Sequence, residues 1–190
     1  QEADLRPGAQ DKASPMNSSI TDANVARPEA RRWIALVVLL TGTLLPPLDF
    51  FIVNVALPAI REDLHAAPGV SQLVVSVYAT AYAVTLVLGG RLGDIWGRKR
   101  TFLAGMAGFG VASALCGFAP SAEVLVAGRL LQGISAAVMA PQSLAFIHAL
   151  FQASEKNRAL SWYGATFGLA SAAGQLLGGL LVAASPWGLG

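Results

Sequence analysis

Charge is what this sequence has least of. Only 13% of its 190 residues are Asp, Glu, Lys or Arg, about half the ~25% of an ordinary soluble domain. A soluble globule with so few charges would expose a large apolar surface, so that class is excluded. Cysteine is almost absent too. The single Cys116 excludes a disulfide framework and any cysteine-clustered metal site. There are two histidines, His65 and His148, and no cluster of ligating side chains, so no metal or cofactor is implied. The net charge of +2 is too small and too scattered to argue for nucleic acid. Apolar residues, by contrast, make up 54%, and the 20 glycines raise the apolar-plus-glycine share to about 65%, against a usual ~45–50%. Low hydrophobicity is the signature of disorder, so disorder is excluded for most of the chain. An integral membrane protein is what remains.

The charges that do occur are segregated. Five stretches, 33–57, 70–90, 101–119, 124–151 and 159–185, contain only Asp49 and Arg129 among the Asp, Glu, Lys and Arg residues. Each is long enough for a spanning helix, which needs about 20 predominantly apolar residues. Helices follow because every backbone polar group in lipid must bond internally. A β-barrel does not fit, since the segments lack alternation and are about twice the length of a spanning strand. The expected fold is therefore all-α, with five transmembrane helices.

The loops set the orientation. Arg27, Arg31 and Arg32 precede the first span, Arg91, Arg98, Lys99 and Arg100 lie in the 91–100 loop, and Lys156 and Arg158 lie in the 152–158 loop. The alternate loops carry Arg61 alone. Positive residues gather on the cytoplasmic side, so the N-terminus is expected there and Gly190 near the outer face. Residues 1–32 are polar and are expected to be a disordered cytoplasmic tail. They lack the apolar core of a signal peptide. The chain begins at Gln1, with Met16 an alternative start, and it stops just after the fifth span. A fragment of a longer membrane protein is expected.

Small residues recur four apart at Gly108, Ala112 and Cys116, at Gly164, Gly168 and Ala172, and at Ala170, Gly174 and Gly178. Such rows let helix backbones approach closely in lipid. Cys116 reads as a small packing residue. Trp33 and Trp187 fit interface belts, and His148 fits an interfacial polar position. Tyr78, Tyr82, Trp162 and Tyr163 are candidates to line a cavity or sit at the interface.

Asp49 and Arg129 are costly where they stand, at about 2.5–3.5 kcal/mol for a charge at a helix centre. At 1.5 Å per residue, Asp49 lies roughly 24 Å from the cytoplasmic end of its helix and Arg129 roughly 9 Å below the outer end of its own. Both fall in the outer half and can pair. Desolvation favours a neutral carboxyl, whereas a neighbouring guanidinium favours the carboxylate. Small rearrangements between those environments load and release a proton, which is the chemistry of a proton-coupled carrier. A static ion pair that fixes register is the structural alternative. Pro46 and Pro47 precede Asp49 and allow a bend there, and Pro141 does the same in the fourth span.

Residues 90–100 read Gly90-Arg-Leu-Gly-Asp94-Ile-Trp-Gly97-Arg98-Lys99-Arg100. This resembles the signature loop between the second and third helices of the major facilitator superfamily, and it matches at every named position of that pattern. Leu48-Asp49-Phe50-Phe51-Ile52-Val53-Asn54-Val55-Ala56-Leu57-Pro58 resembles the first-helix signature of the fourteen-span drug:proton antiporter branch. Arg129-Leu-Leu-Gln132-Gly133-Ile-Ser-Ala-Ala137 resembles the fourth-helix motif linked to proton coupling. Gly174-Gln175-Leu-Leu-Gly178-Gly179 resembles the fifth-helix antiporter motif, with Gln175 where the family usually has proline.

The resemblance covers residues 33–185. It implies two six-helix bundles built from inverted three-helix repeats around a central cavity, with alternating access. Residues 33–190 are then a partial N-terminal bundle whose partners are the missing C-terminal spans of the same carrier and the lipid bilayer. The implied activity is proton-coupled efflux of lipophilic or cationic small molecules across the plasma membrane, with Asp49 as the proton site and Arg129 its modulator. Asp94 and Arg98, four apart, are expected to face each other on one helical turn and latch the cytoplasmic side, with Gly90 and Gly97 permitting tight turns. Two rivals stand beside this reading. One is a metabolite symporter of the same superfamily, and the other is a membrane-embedded scaffold or enzyme subunit, although no catalytic constellation is present.

Overall fold

A computed structural model describes residues 29–184. Five helices follow one another: α1 (Glu29–Asp63), α2 (Pro68–Trp96), α3 (Arg98–Gly117), α4 (Ala122–Leu150) and α5 (Ala153–Ala183). The expected tail lies outside the described residues up to position 28, as do Met16 and Trp187. Residues 29–32, expected to be disordered, instead form the first turn of α1. Each helix begins before its apolar stretch, because the hydrogen-bond ladder extends into the charged flank.

Four helices are long and apolar enough to cross a membrane by length and composition: α1, α2, α4 and α5. The remaining expected span, α3, is the shortest of the five helices. That helix has 20 residues, of which Arg98, Lys99 and Arg100 are its first three. The run that follows them is about 25 Å long, at the short end of what spanning helices use.

The hub is α4. It packs extensively against α2 and α3 and touches α1, while α1 pairs with α5. Close approaches explain the first set. A Cβ on Gly133 would lie 2.5 Å from the Tyr78 carbonyl oxygen, and one on Gly105 would lie 2.6 Å from Met139 Cγ. A Cβ on Gly128 would sit 2.5 Å from Cys116 Sγ. Gly108, Ala112 and Cys116 thus form the α3 face that α4 covers. At Pro141 the missing N–H leaves the Ala137 carbonyl without its helical donor. That oxygen stands 2.5 Å from where a Gly89 Cβ would be, so the α2 backbone closes on it.

The two expected rows on α5 part company. Ala170, Gly174 and Gly178 are buried. A Cβ on Gly174 would come within 2.8 Å of the Leu48 carbonyl oxygen of α1, and one on Gly178 within 3.0 Å of Val55 Cβ. A Cβ on Gly164 or Gly168 would meet nothing within 4 Å, and both belong to an exposed face. At one end of this pair, Arg32 of α1 meets Glu155 of α5 at 3.1 Å. Trp33, expected in an interface belt, packs its ring 5.0 Å from that of Phe151 and under the Arg158 guanidinium.

Pro46, Pro47 and Pro58 do not interrupt α1, nor does Pro141 interrupt α4. Polarity is arranged inside out. Val84, Val87, Val111, Leu169 and Leu180 are exposed, whereas Thr101, Arg129, Gln132, Gln142 and Ser143 are buried. An integral membrane protein requires this, since lipid solvates the apolar exterior and the polar groups must find partners within. Replacing Gly133 by leucine should cost about 1–3 kcal/mol through overpacking. The solubilised protein should therefore melt at a lower temperature than wild type. Gly110→Leu, where a Cβ meets nothing within 4 Å, should leave the melting temperature unchanged.

Candidate functional site

The two costly charges meet. Arg129 donates through Nη1 to Asp49 Oδ2 at 2.5 Å and to Gln132 Oε1 at 2.8 Å. Its Nε donates to the Val74 carbonyl at 3.3 Å. Gln132 lies one turn beyond Arg129 on α4. Its Nε2 donates to Asp49 Oδ1 at 3.1 Å and to Ser113 Oγ of α3 at 2.8 Å. Cys116 Sγ donates to Gln132 Oε1 at 3.4 Å, so the thiol is a polar partner as well as a packing residue. Helices α1, α2, α3 and α4 all contribute to this network.

Its two charges differ in access. The Arg129 side chain is 0% exposed and that of Asp49 is 23% exposed. The guanidinium is sealed in and the carboxylate retains an open side. The Arg129 guanidinium carbon also sits 4.3 Å from the centroid of the Tyr78 ring. Its Nη2 is buried with no hydrogen-bond partner among the described residues. Asp49 is thus bonded on both oxygens, to Arg129 and to Gln132, and keeps one side open.

Beside this network is a cavity of about 300 Å³ where the α1–α5 pair faces α2 and α4. Phe50, Phe51, Tyr78, Tyr82, Tyr163 and Phe167 supply its aromatic walls. Of the four aromatics proposed from sequence, Tyr78, Tyr82 and Tyr163 line it, and Trp162 is exposed elsewhere. Thr43 of α1 and Ser143 of α4 also line it and share a hydrogen bond at 3.0 Å.

The loop motif lies apart, at the α2–α3 junction. Asp94 and Arg98 pair at 3.7 Å, with side chains 72% and 45% exposed. They do not share one helical turn, because the chain breaks between them at Gly97, whose φ of 87° suits glycine. Arg98 Nη1 also donates to the Ala145 carbonyl of α4 at 3.3 Å. Lys99 is exposed. Gly90 makes no tight turn; it lies inside α2, where a Cβ would stand an ordinary 3.8 Å from Pro141 Cβ. The tight positions are its neighbours Gly89 and Gly93. Gln142, buried on α4, donates to the Gly89 carbonyl at 2.7 Å and its side chain fills the space beside Gly93. A search for charges passes over Gln142, although an amide within an apolar span is a signal of the same kind. On α5, Gly174 and Gly178 face α1, while Gln175 and Gly179 are exposed. His148 is exposed and bonds the Leu144 carbonyl of its own helix. No group of three or more metal-ligating side chains converges among the described residues.

Removing one partner of a buried ion pair costs about 3–5 kcal/mol, because it leaves the other charge uncompensated. Arg129→Leu should therefore lower the melting temperature of the solubilised protein sharply. The double variant Asp49→Leu/Arg129→Leu should recover part of that loss. Strictly additive effects would contradict the pairing.

The comparisons with known proteins agree with this architecture. Residues 39–189 match the Major Facilitator Superfamily. A probable actinorhodin transporter of Streptomyces coelicolor is 45% identical over 163 residues, covering 86% of this chain and 28% of the relative. A puromycin resistance protein of Streptomyces alboniger is 44% identical over 161 residues, 84% of this chain and 32% of the relative. A multidrug efflux pump of Mycolicibacterium smegmatis is 40% identical over 166 residues, 87% of this chain and 33% of the relative. The chain thus spans about a third or less of the length of these relatives. A family match that runs from α1 through the end of α5, over a bundle with a charged pair inside and an apolar surface outside, makes the chain a member of the Major Facilitator Superfamily.

Proposed function

We propose that the carrier to which this chain contributes expels lipophilic, cationic small molecules across the plasma membrane in exchange for protons. The observation that carries this reading is the Asp49–Arg129 pair beside an aromatic cavity. Asp49 is the proton site. In the arrangement seen here both its oxygens are bonded, one to Arg129 and one to Gln132. Protonation weakens both bonds, since a neutral carboxyl gives less to a cation. The α1–α5 pair is then free to shift against α2 and α4, whose shared wall is the cavity. Export rather than uptake is supported by two of the relatives, one named for puromycin resistance and one for multidrug efflux.

The apolar, aromatic walls suit a ligand with a hydrophobic body, and the nearby carboxylate suits a positive charge on it. The N-terminus is cytoplasmic in this reading. The contact of Arg98 with Asp94 and the Ala145 carbonyl then holds the cytoplasmic ends of α2, α3 and α4 together in one of the two access states. An exposed pair alone is worth about 0–1 kcal/mol, so the latch acts only as part of a state in which those ends are packed. The remaining spans of the carrier supply the other wall of the transport path.

The test is efflux of a fluorescent lipophilic cation from cells lacking their main pumps. The full-length carrier should give loss of the dye that a protonophore abolishes. Asp49→Asn should insert normally yet reduce that loss to the level of cells without the carrier. Undiminished, protonophore-sensitive efflux by Asp49→Asn would remove Asp49 from the proton site.

A further inference from the structure

Tyr78 touches both the buried cation and the cavity. It is buried, and its ring is held over the Arg129 guanidinium at 4.3 Å while forming part of the cavity wall. Among the described residues, the hydrogen bonds of Arg129 run through Nε and Nη1, and Nη2 has no partner. The ring is therefore the contact that covers the guanidinium face. Tyr78 also lies 5.5 Å from the ring of Phe50, the residue that follows Asp49 on α1. Phe50 in turn meets Phe51, and Phe51 meets Phe167 of α5. An aromatic row thus runs along the cavity wall from α5 through α1 to α2 and ends on Arg129.

We propose that Tyr78 is a positioning residue through which a ligand in the cavity drives the proton off Asp49. The inference rests on the reading of Asp49 as the proton site. An aromatic or cationic ligand packs against the cavity side of this row and restrains the Tyr78 ring on the guanidinium. The restrained guanidinium stays against Asp49 and favours its carboxylate, and the proton leaves the carboxyl group for water. Without the ring, a ligand still enters the cavity, but its presence no longer reaches Arg129. The π face matters here, not the hydroxyl, because the attraction of a cation to an aromatic ring comes from the ring's quadrupole.

The experiment uses the purified full-length carrier in detergent with tetraphenylphosphonium as the probe. Bound probe is measured by equilibrium dialysis, and proton release by an indicator dye in weak buffer. The unsubstituted carrier and Tyr78→Phe should release the same number of protons per bound probe. Tyr78→Leu should still bind the probe but release about threefold to tenfold fewer protons per molecule bound, the range a cation–π contact of this class implies. Tyr82→Leu removes a cavity aromatic that does not stack on Arg129; it should weaken binding yet keep the proton ratio. Should Tyr78→Leu fail to fold, Tyr78→Met fills similar space without a ring. An unchanged ratio in the ring-less variant, with release abolished in Asp49→Asn, overturns the role of Tyr78 alone. Release that persists in Asp49→Asn overturns the proton-site reading beneath it. Absence of probe binding by the unsubstituted carrier overturns both.

Discussion

A guanidinium with no exposure inside a bundle built for lipid has to be answered by other groups, and the answer draws in four helices. Arg129 takes a carboxylate from α1, a carbonyl and an aromatic face from α2 and an amide from its own helix, and that amide is anchored by α3. An isolated charge in hydrocarbon is prohibitive, and neighbouring dipoles and counter-charges are the remedy open to it. Each partner therefore has to arrive at one place, which ties the register of α1, α2 and α3 to a single level on α4. Gln132 presents its oxygen to the cation and its nitrogen to the anion. It is fully used, so rotating its amide would set like against like.

Those partners can reach Arg129 only because the backbones around it approach closely. Gly133 admits the α2 backbone at Tyr78, and Gly128 admits Cys116 of α3. On α5, Gly174 and Gly178 admit α1. The bundle is thereby divided unevenly, with α2 and α3 closed on α4 and α5 closed on α1. Between the tight groups, bulky aromatics keep the helices apart. The cavity is the space they leave, and its walls are the residues too large to interdigitate.

Reading the chain residue by residue located the charged pair, because Asp49 and Arg129 are the two charged residues within otherwise uncharged stretches. It also located the helices, since charge segregation at a spacing of about 20 residues is a property of composition. It stopped short in three places. The break at Gly97 lies between two charges whose spacing of four looks helical, and only a φ of 87° reveals it. Gln142 carries no charge, so it stood out less than Arg129, although it is as deeply placed. The rows Gly164–Ala172 and Ala170–Gly178 have the same spacing, and nothing local says which of them meets a neighbour.

The amino-acid sequence by itself determined the solvent of this protein, the helical class, and which residues had to be rescued from that solvent. These follow from transfer free energies, which belong to residues one at a time. The tertiary structure alone decided which groups rescue them, because Asp49 and Arg129 are 80 positions apart and their meeting depends on how α1 and α4 cross. It also decided that Tyr78 faces both the cation and the cavity, whereas Trp162 faces outward. A side chain's surroundings are set by packing between helices, and packing is a property of pairs of surfaces that no single stretch of sequence contains.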